Sequence, residues 1–334
     1  LEAAAWRYYG RPPEDLSWAE SATLAVLPNA PSLIYPGKNQ IILKKKRDLL
    51  LDRLFKTGKI DSTTCYLAKQ ESLPQKPKPL PRAAPHLLDQ LTKKNKGMRV
   101  RTTLNGRLQF QVANVVQEHY MKMKDNGIHN GAALVLDVES GNVLAYVGNT
   151  FSSDPQHSSD VDIIRAHRST GSVLKPLLYA AMLDDGEILP NTLIADIPTQ
   201  ISGYAPKNFN QQYVGAVHAS RALARSLNVP AVRMLQKHGL ERFHYLLQSL
   251  GMSSVSYPAG RYGLSLILGG AEGTLWDLTG IYASFSRILN HYNSYSGQYF
   301  PQDLRSPAYL PSQQDQIEKG ITNLQQKGML DAAS

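Results

Sequence analysis

Along the first 72 residues, apolar positions recur at three- and four-residue spacings, which predicts helices rather than strands. Asp15 or Ser17 can cap a helix starting near Trp18, with Glu20 in its first turn and Ala19, Ala22, Leu24, Ala25 and Leu27 on its apolar face. Pro28, Pro31 and Pro36 then break the pattern into a loop. A second helix is predicted from about Gln40 to Thr57, with Leu43, Leu50, Leu51, Leu54 and Phe55 facing inward and Gly58 ending it. Asp61 and Ser62 suit the cap of a third, short helix reaching about Ser72.

Pro74, Pro77, Pro79, Pro81 and Pro85 fall within twelve residues and predict a stiff connector, residues 73–95, at a domain boundary. Beyond it, Leu87 to Leu91 is a short apolar segment and Val100 to Leu104 reads as a strand. Residues 105–124 read as a long helix with Leu108, Val112, Val115, Val116 and Tyr120 on one face. The runs Gly131–Leu136 and Val143–Val147, joined by Glu139-Ser140-Gly141-Asn142, predict a β-hairpin. Leu174, Leu177, Leu178, Ala181 and Met182 predict the next helix. A loop-rich region holding Pro190, Pro198 and Pro206 leads to helices over Val217–Arg225, from Pro230 to Lys237, over Glu241–Leu250, and over Thr274–Leu289 with Thr274 as its cap. The tail after His291 is polar and weakly patterned, and no internal repeat is present.

With 334 residues and 42% hydrophobic content, the chain has room for two domains and for ordinary globular cores. No stretch approaches the apolar length of a membrane helix and no signal peptide opens the sequence. The chain opens on Leu1, and we read it as a piece of a longer protein. A single cysteine, Cys65, excludes an internal disulfide. Charge is lopsided: residues 1–100 hold 18 Lys and Arg against 9 Asp and Glu, the remainder 18 against 18, so the net +9 sits in the front. A basic front favours anionic surfaces such as lipid head groups, lipid pyrophosphates or nucleic acid, although no finger, RNP or helix-turn-helix pattern supports the last. Its densest cluster, Lys44-Lys45-Lys46-Arg47, reads equally well as a solvated helix face and as a binding patch.

The candidate chemistry centres on Arg168-Ser169-Thr170-Gly171-Ser172-Val173-Leu174-Lys175-Pro176. Ser172 and Lys175 are three apart, so a helix there puts both on one face, with Gly171 permitting close backbone approach just before it. The helix N-terminus brings free N–H groups near the serine, and a lysine whose pKa is lowered by burial can act as its general base. Ser-x-x-Lys is common by chance, so its weight depends on the residues downstream of it. Ser226-Leu227-Asn228 places a hydroxyl and an amide on a short loop between helices, able to relay a proton and hold a substrate carbonyl. The plainer reading is that Asn228 caps the helix beginning near Pro230. His119, His129, His157, His167 and His218 lack metal-ligand spacing, so no metal is predicted, and Trp6, Trp18 and Trp276 read as packing residues.

Ser-x-x-Lys, then Ser-x-Asn, then Lys-Thr-Gly is the motif order of serine penicillin-recognising enzymes. Residues 96–290 resemble the transpeptidase domain of the class A penicillin-binding proteins. The resemblance is carried by Val100-Arg101-Thr102-Thr103-Leu104, the hairpin Gly131–Val147, Arg168–Pro176, Gly203-Tyr204-Ala205-Pro206-Lys207-Asn208-Phe209, Ser226–Val232 and Leu268-Gly269-Gly270-Ala271-Glu272. Residues 4–58 resemble the last part of that family's glycosyltransferase domain through Tyr9-Gly10-Arg11, Leu16-Ser17-Trp18-Ala19-Glu20 and Pro31–Pro36. The resemblance implies an α+β chain. Residues 1–72 would be the helical end of a lysozyme-like glycosyltransferase domain and 73–95 a Pro-rich linker. Residues 96–334 would be a β-lactamase-like serine transpeptidase domain with its later sheet strands missing.

The function so implied is peptidoglycan synthesis: glycan polymerisation from lipid II and cross-linking of stem peptides. Ser172 would attack a D-Ala-D-Ala carbonyl, Lys175 would take its proton, Ser226 would relay a proton to the leaving amine, and Asn228 would hold the donor amide and orient Lys175. The Ser172 N–H would form half of an oxyanion hole, and β-lactams would acylate the same serine. Implied partners are stem peptides, lipid II, β-lactams and, through an anchor outside this sequence, the periplasmic face of the bacterial inner membrane; no cofactor and no nucleic acid are implied. The chain departs from the family in its third motif. Lys319-Gly320 and Lys327-Gly328 lack the threonine, and Lys56-Thr57-Gly58 precedes Ser172 at a helix end, where it reads as a decoy. The glycosyltransferase glutamates are expected upstream of Leu1, with Glu14 and Glu20 structural, so weak or no activity is expected of this piece alone. A serine β-lactamase or carboxypeptidase-like hydrolase and a non-catalytic penicillin-binding scaffold are the alternatives.

Overall fold

Side-chain caps set two of the helix starts in the front of the chain. In this computed structural model, which describes residues 1–29, 37–80, 82–201, 203–294, 296 and 300–311, α1 (Glu2–Tyr8) is followed by α2 (Trp18–Val26). Ser17 closes a capping box on α2: its side chain accepts from the Glu20 N–H at 3.1 Å, and the Glu20 carboxylate accepts from the Ser17 N–H at 3.0 Å. α3 (Gln40–Lys56) and α4 (Ser62–Gln70) complete this group, α4 being capped by Asp61, which accepts from the Thr64 N–H at 2.6 Å. Ala19 and Ala22 from α2, Leu51 from α3, and Ile60, Cys65 and Ala68 form their shared core. Ala25 and Phe55, expected inward, are exposed. Pro31, Pro36 and Pro81 lie outside the described residues.

Within the basic cluster, Arg47 alone fits neither reading. Lys44 and Lys45 are solvated, but Arg47 is 1% exposed. Its guanidinium donates to the Glu71 carbonyl at 2.7 Å, the Lys69 carbonyl at 2.9 Å and the Asp48 carboxylate at 2.9 Å. It ties the C-terminal carbonyls of α4 to α3, a role its five planar donors suit and a lysine's point charge does not.

The chain divides into two units, Leu1–Arg82 and Ala83–Ser334. The second begins with α5 (Pro85–Lys94), inside the stretch expected to be connector; Pro85 sits in the first helical turn, where a missing N–H costs nothing, and Leu87 is buried. Val100–Leu104 forms no strand. It runs alongside the hairpin with single bonds instead of a ladder: Thr103 N–H to the Tyr309 carbonyl at 3.0 Å, its hydroxyl to the Val143 carbonyl at 2.7 Å, and Asn105 N–H to the Leu144 carbonyl at 2.9 Å. α6 (Gly106–Met123), capped by Asn105, buries Gln109, whereas Val115 faces solvent. The Gln109 amide accepts from the Tyr146 N–H at 2.7 Å and donates to the Tyr146 and Ala83 carbonyls, both at 3.0 Å, so a side chain satisfies backbone as a neighbouring strand would.

β1 (Ala133–Leu136) and β2 (Val143–Val147) pair antiparallel, Ala133 opposite Val147, with an irregularity between Val135 and Leu136. Asp137 closes their turn by accepting from the Ser140 N–H and hydroxyl at 2.8 and 2.6 Å. The chain continues through β3 (Arg168–Ser169), α7 (Lys175–Asp184), β4 (Leu193–Asp196), β5 (Gly215–His218), α8 (Ala219–Ala224), α9 (Asn228–His238), α10 (Leu240–Ser249), α11 (Ala259–Tyr262), β6 (Glu272–Gly273) and α12 (Leu275–His291). The proline-bearing region expected to be loop therefore holds the antiparallel pair β4–β5, and Val217 belongs to β5 rather than to a helix. Each of these strands is four residues long and its partner is distant in sequence, so no local period announces it. Leu174 at the cap of α7, and Leu178 and Met182 within it, pack with Val232 and Leu235 from α9, Phe243 and Leu247 from α10, and Leu266 and Ile267 in the main helical core. A second cluster, Leu87, Val143, Tyr146, Ile164 and Trp276, joins the hairpin to α5 and α12.

Candidate active site

The turn carrying Ser172 is clamped on three sides. β3 pairs with β6, Arg168 opposite Gly273 and Ser169 opposite Glu272. Thr170 then donates to the Ala271 carbonyl through both its N–H and its hydroxyl, each at 3.1 Å, and the Tyr282 hydroxyl of α12 donates to the Val173 carbonyl at 2.6 Å. Gly171, at φ +53°, turns the chain into residues 171–174. α7 starts at Lys175, not at Ser172: the serine stands one turn ahead of the helix, its carbonyl accepting from the Lys175 N–H at 3.2 Å. Ser172 is exposed, and among the described residues neither its hydroxyl nor its N–H has a hydrogen-bond partner within the chain. The serine–lysine contact expected from the spacing is not made.

Lys175, 2% exposed, points its amine at the second motif instead. Its Nζ donates to the Asn228 side-chain oxygen at 2.7 Å, the Ser226 carbonyl at 2.8 Å and the Ser226 hydroxyl at 3.2 Å. No carboxylate joins this set, so burial acts unopposed and pushes the amine from 10.5 down to about 8. The structure thus brings Lys175, Ser226 and Asn228 together and leaves Ser172 exposed beside them.

Ser226 is placed by the way α8 ends. Its N–H donates to the Leu223 carbonyl at 2.8 Å, and the Leu227 N–H to the Ala222 carbonyl at 3.0 Å. That is the Schellman pattern, with Ser226 at the left-handed position usually held by glycine, φ +50°. Leu227 packs back on Ala222, the apolar contact that accompanies the motif. Asn228 is then the first residue of α9, not its cap, since its side-chain oxygen faces Lys175 and its amide donates to the Lys207 carbonyl at 2.9 Å.

Other sequence candidates have structural roles. Glu20 is held in its capping box. Lys56-Thr57-Gly58 ends α3, with the Thr57 hydroxyl on the Arg53 and Leu54 carbonyls. His167 is exposed and 3.9 Å from Glu272. Lys319-Gly320 and Lys327-Gly328 lie outside the described residues. Among the described residues one group has metal-like proximity, Asp185, Glu187 and His238, with ligand atoms within 4.8 Å of one another. Arg242 bridges both carboxylates, at 2.9 and 2.8 Å, so the group is an ion-paired seam beside the end of α7.

Residues 131–265 match the family model of the penicillin binding protein transpeptidase domain, and residues 1–55 match that of the transglycosylases. The chain is 34% identical to penicillin-binding protein 1C of Escherichia coli over 86% of its own length and 37% of that protein's. It is 26% identical to penicillin-binding protein 1B of Haemophilus influenzae over 86% and 39%. The chain therefore spans about two fifths of the length of these curated relatives. The crystal structure of penicillin-binding protein 1A from Haemophilus influenzae shares its fold with a TM-score of 0.55 at 20% identity, over 86% of this chain and 58% of that one. Carrying a transglycosylase segment ahead of an α+β penicillin-binding transpeptidase domain, the chain belongs to the class A penicillin-binding proteins.

Proposed function

We propose that the chain serves peptidoglycan synthesis, as part of a protein that polymerises glycan strands from lipid II and cross-links stem peptides through a serine acyl-enzyme. Residues 1–72 would be the end of the glycosyltransferase domain and 73–95 the connecting stretch, its α5 packed on the transpeptidase domain of 96–334. The observation that carries the acyl-transfer reading is the buried Lys175 amine, held by Ser226 and Asn228 with its proton loosened to about 8. In the reaction Ser172 Oγ adds to the penultimate D-alanine carbonyl, its proton passes to neutral Lys175, and the exposed Ser172 N–H stabilises the oxyanion. Collapse releases D-alanine, its amine protonated through Ser226, and leaves an ester at Ser172. A second stem peptide's amine then takes the acyl group. Lys175 moves from its contacts with Ser226 and Asn228 to reach the serine proton when substrate binds, a tightening common between free and loaded sites. β-Lactams enter by the same attack, opening the lactam ring, and nucleic acid is not a partner.

Among the described residues no helix is long and apolar enough to cross a membrane. Attachment at the periplasmic face of the inner membrane is part of the proposal. The unengaged Ser172 hydroxyl favours a second reading, a penicillin-fold scaffold without turnover. Mass spectrometry after incubation with benzylpenicillin separates the two. A covalent adduct that disappears in Ser172→Ala and persists in Cys65→Ala supports the acyl-transfer reading. An adduct surviving in Ser172→Ala removes the nucleophile assignment, and no adduct on the unaltered chain favours the scaffold.

A further inference from the structure

Asn208 is 3% exposed, on a loop that the acyl-transfer steps do not use. Its side-chain oxygen accepts from the N–H of Asn228 at 2.9 Å and of Val229 at 3.2 Å. These are the first two amides of α9, donors that no residue within that helix can satisfy, and Leu227 at the cap position has no side-chain oxygen to offer. Asn208 therefore caps α9 from twenty residues away. Its amide nitrogen donates to the Asp196 carboxylate at 2.7 Å and to the Gln212 carbonyl at 2.9 Å. Two donors meet its oxygen and two acceptors meet its nitrogen, so only one amide orientation satisfies the site. Asp196, fully buried on β4, is occupied on its other oxygen by the Val214 N–H at 3.1 Å.

The adjoining Lys207 carbonyl accepts from the Asn228 side-chain nitrogen at 2.9 Å. Residues 207 and 208 thus grip Asn228 by its side chain and by its backbone. With the nitrogen committed to Lys207, the Asn228 oxygen is turned to Lys175.

We propose that Asn208, anchored by Asp196, is a positioning residue that sets the orientation of Asn228 and, through it, the place of the Lys175 amine. The inference rests on the acyl-transfer reading of Lys175, Ser226 and Asn228. Asn208 touches none of the reacting atoms; it acts through the start of α9. A residue that merely capped α9 would change the amount of folded protein. A positioning residue also changes the proton affinity and reach of Lys175.

The test compares the chain with Asn208→Leu, Asn208→Asp and the double exchange Asn208→Asp with Asp196→Asn. Alone, Asn208→Asp sets two carboxylates against each other. In the double exchange, position 196 donates to the carboxylate at 208, which still accepts from Asn228 and Val229, while the Gln212 carbonyl loses its donor. Benzylpenicillin acylation is followed against pH, amide exchange is read at Asn228 and Val229, and folded fraction is read from thermal unfolding. Asn208→Leu is expected to slow acylation about a hundredfold, to displace its pH midpoint from about 8, and to speed exchange at those two amides while the chain stays folded at the assay temperature. The double exchange is expected to return part of the rate and to bring the midpoint back toward its original place. Unchanged rate and midpoint in Asn208→Leu, or a loss that follows the unfolded fraction and is not rescued, would overturn the proposal. If the unaltered chain takes no adduct, the acyl-transfer reading loses support independently of the proposal. The titration of Lys175, followed by NMR in the same variants, then still decides whether Asn208 sets its environment.

Discussion

Ser226 holds the left-handed position that ends α8, φ +50°, and from it presents its carbonyl to Lys175 Nζ at 2.8 Å. A serine there sits roughly 1–2 kcal/mol above a glycine in backbone strain. The strain turns both Ser226 oxygens toward one buried amine. Ser226→Gly is therefore expected to separate stability from chemistry. Urea unfolding should give a chain as stable as the original or more so by up to about 1 kcal/mol, with acylation by benzylpenicillin slower by about a hundredfold. A glycine variant that is both less stable and equally reactive would contradict this account of the turn.

The Lys175 amine sets a pH dependence with a definite sign. Its folded pKa of about 8 lies below the ordinary 10.5. Below about 8 both states hold the proton, and the cost of burying the charge, on the order of 3 kcal/mol, is fully present. Between about 8 and 10.5 the unfolded chain binds more protons, so folding strengthens as pH rises. Over that window the chain should gain stability relative to Lys175→Met by an amount of that order. Acylation should climb with pH up to about 8 and level off above it, because the neutral amine is the base. Lys175→Arg, which stays charged, should be inactive throughout. A rate that is flat from about pH 6 to 9 would remove Lys175 as the base.

Gly269 supports the Ser172 turn from behind. At φ +100°, a Cβ there would lie 2.5 Å from the Ser169 hydroxyl and 2.8 Å from the Gly171 nitrogen. Gly269→Ala must push the β3 end and Gly171 outward, moving the adjoining serine. We expect a loss of about 1–3 kcal/mol in stability and about a hundredfold in acylation. Gly251→Ala is the control: its φ is +91° but nothing lies within 4 Å of the added carbon. It should lose stability and keep its acylation rate.

The helices with clear caps were legible in the sequence. Ser17, Asp61 and Thr274 each start a helix where their side chains predict one. The hairpin was legible from its turn chemistry. What escaped were features set by distant partners. β4 and β5 pair across the proline-bearing stretch, and Gln109 is buried because Tyr146 needs its amide. At the site, the spacing of Ser172 and Lys175 was visible and their relation was not. The helix begins three residues later than Ser172, and the lysine turns to Ser226 and Asn228. Asn208 stood in view within Lys207-Asn208-Phe209, but only its four bonds across three segments reveal its use.

Arg47 carries the last expectation, because charge counting misplaced it. It sits among lysines in the most basic stretch, yet its guanidinium is buried on the Lys69 and Glu71 carbonyls. Arg47→Leu removes the donors and leaves those carbonyls and Asp48 facing an apolar side chain. We expect the Leu1–Arg82 unit to lose about 2–4 kcal/mol, visible as faster amide exchange along α4. Arg47→Lys should recover only part of this, since a single ammonium cannot span both carbonyls and the carboxylate in one plane. Lys44→Ala and Lys45→Ala, on the solvated side of the same helix, should change stability by no more than about 0.5 kcal/mol. If Lys45→Ala proved as damaging as Arg47→Leu, the cluster would be acting through its summed charge, and the buried fork would not be what joins α3 to α4.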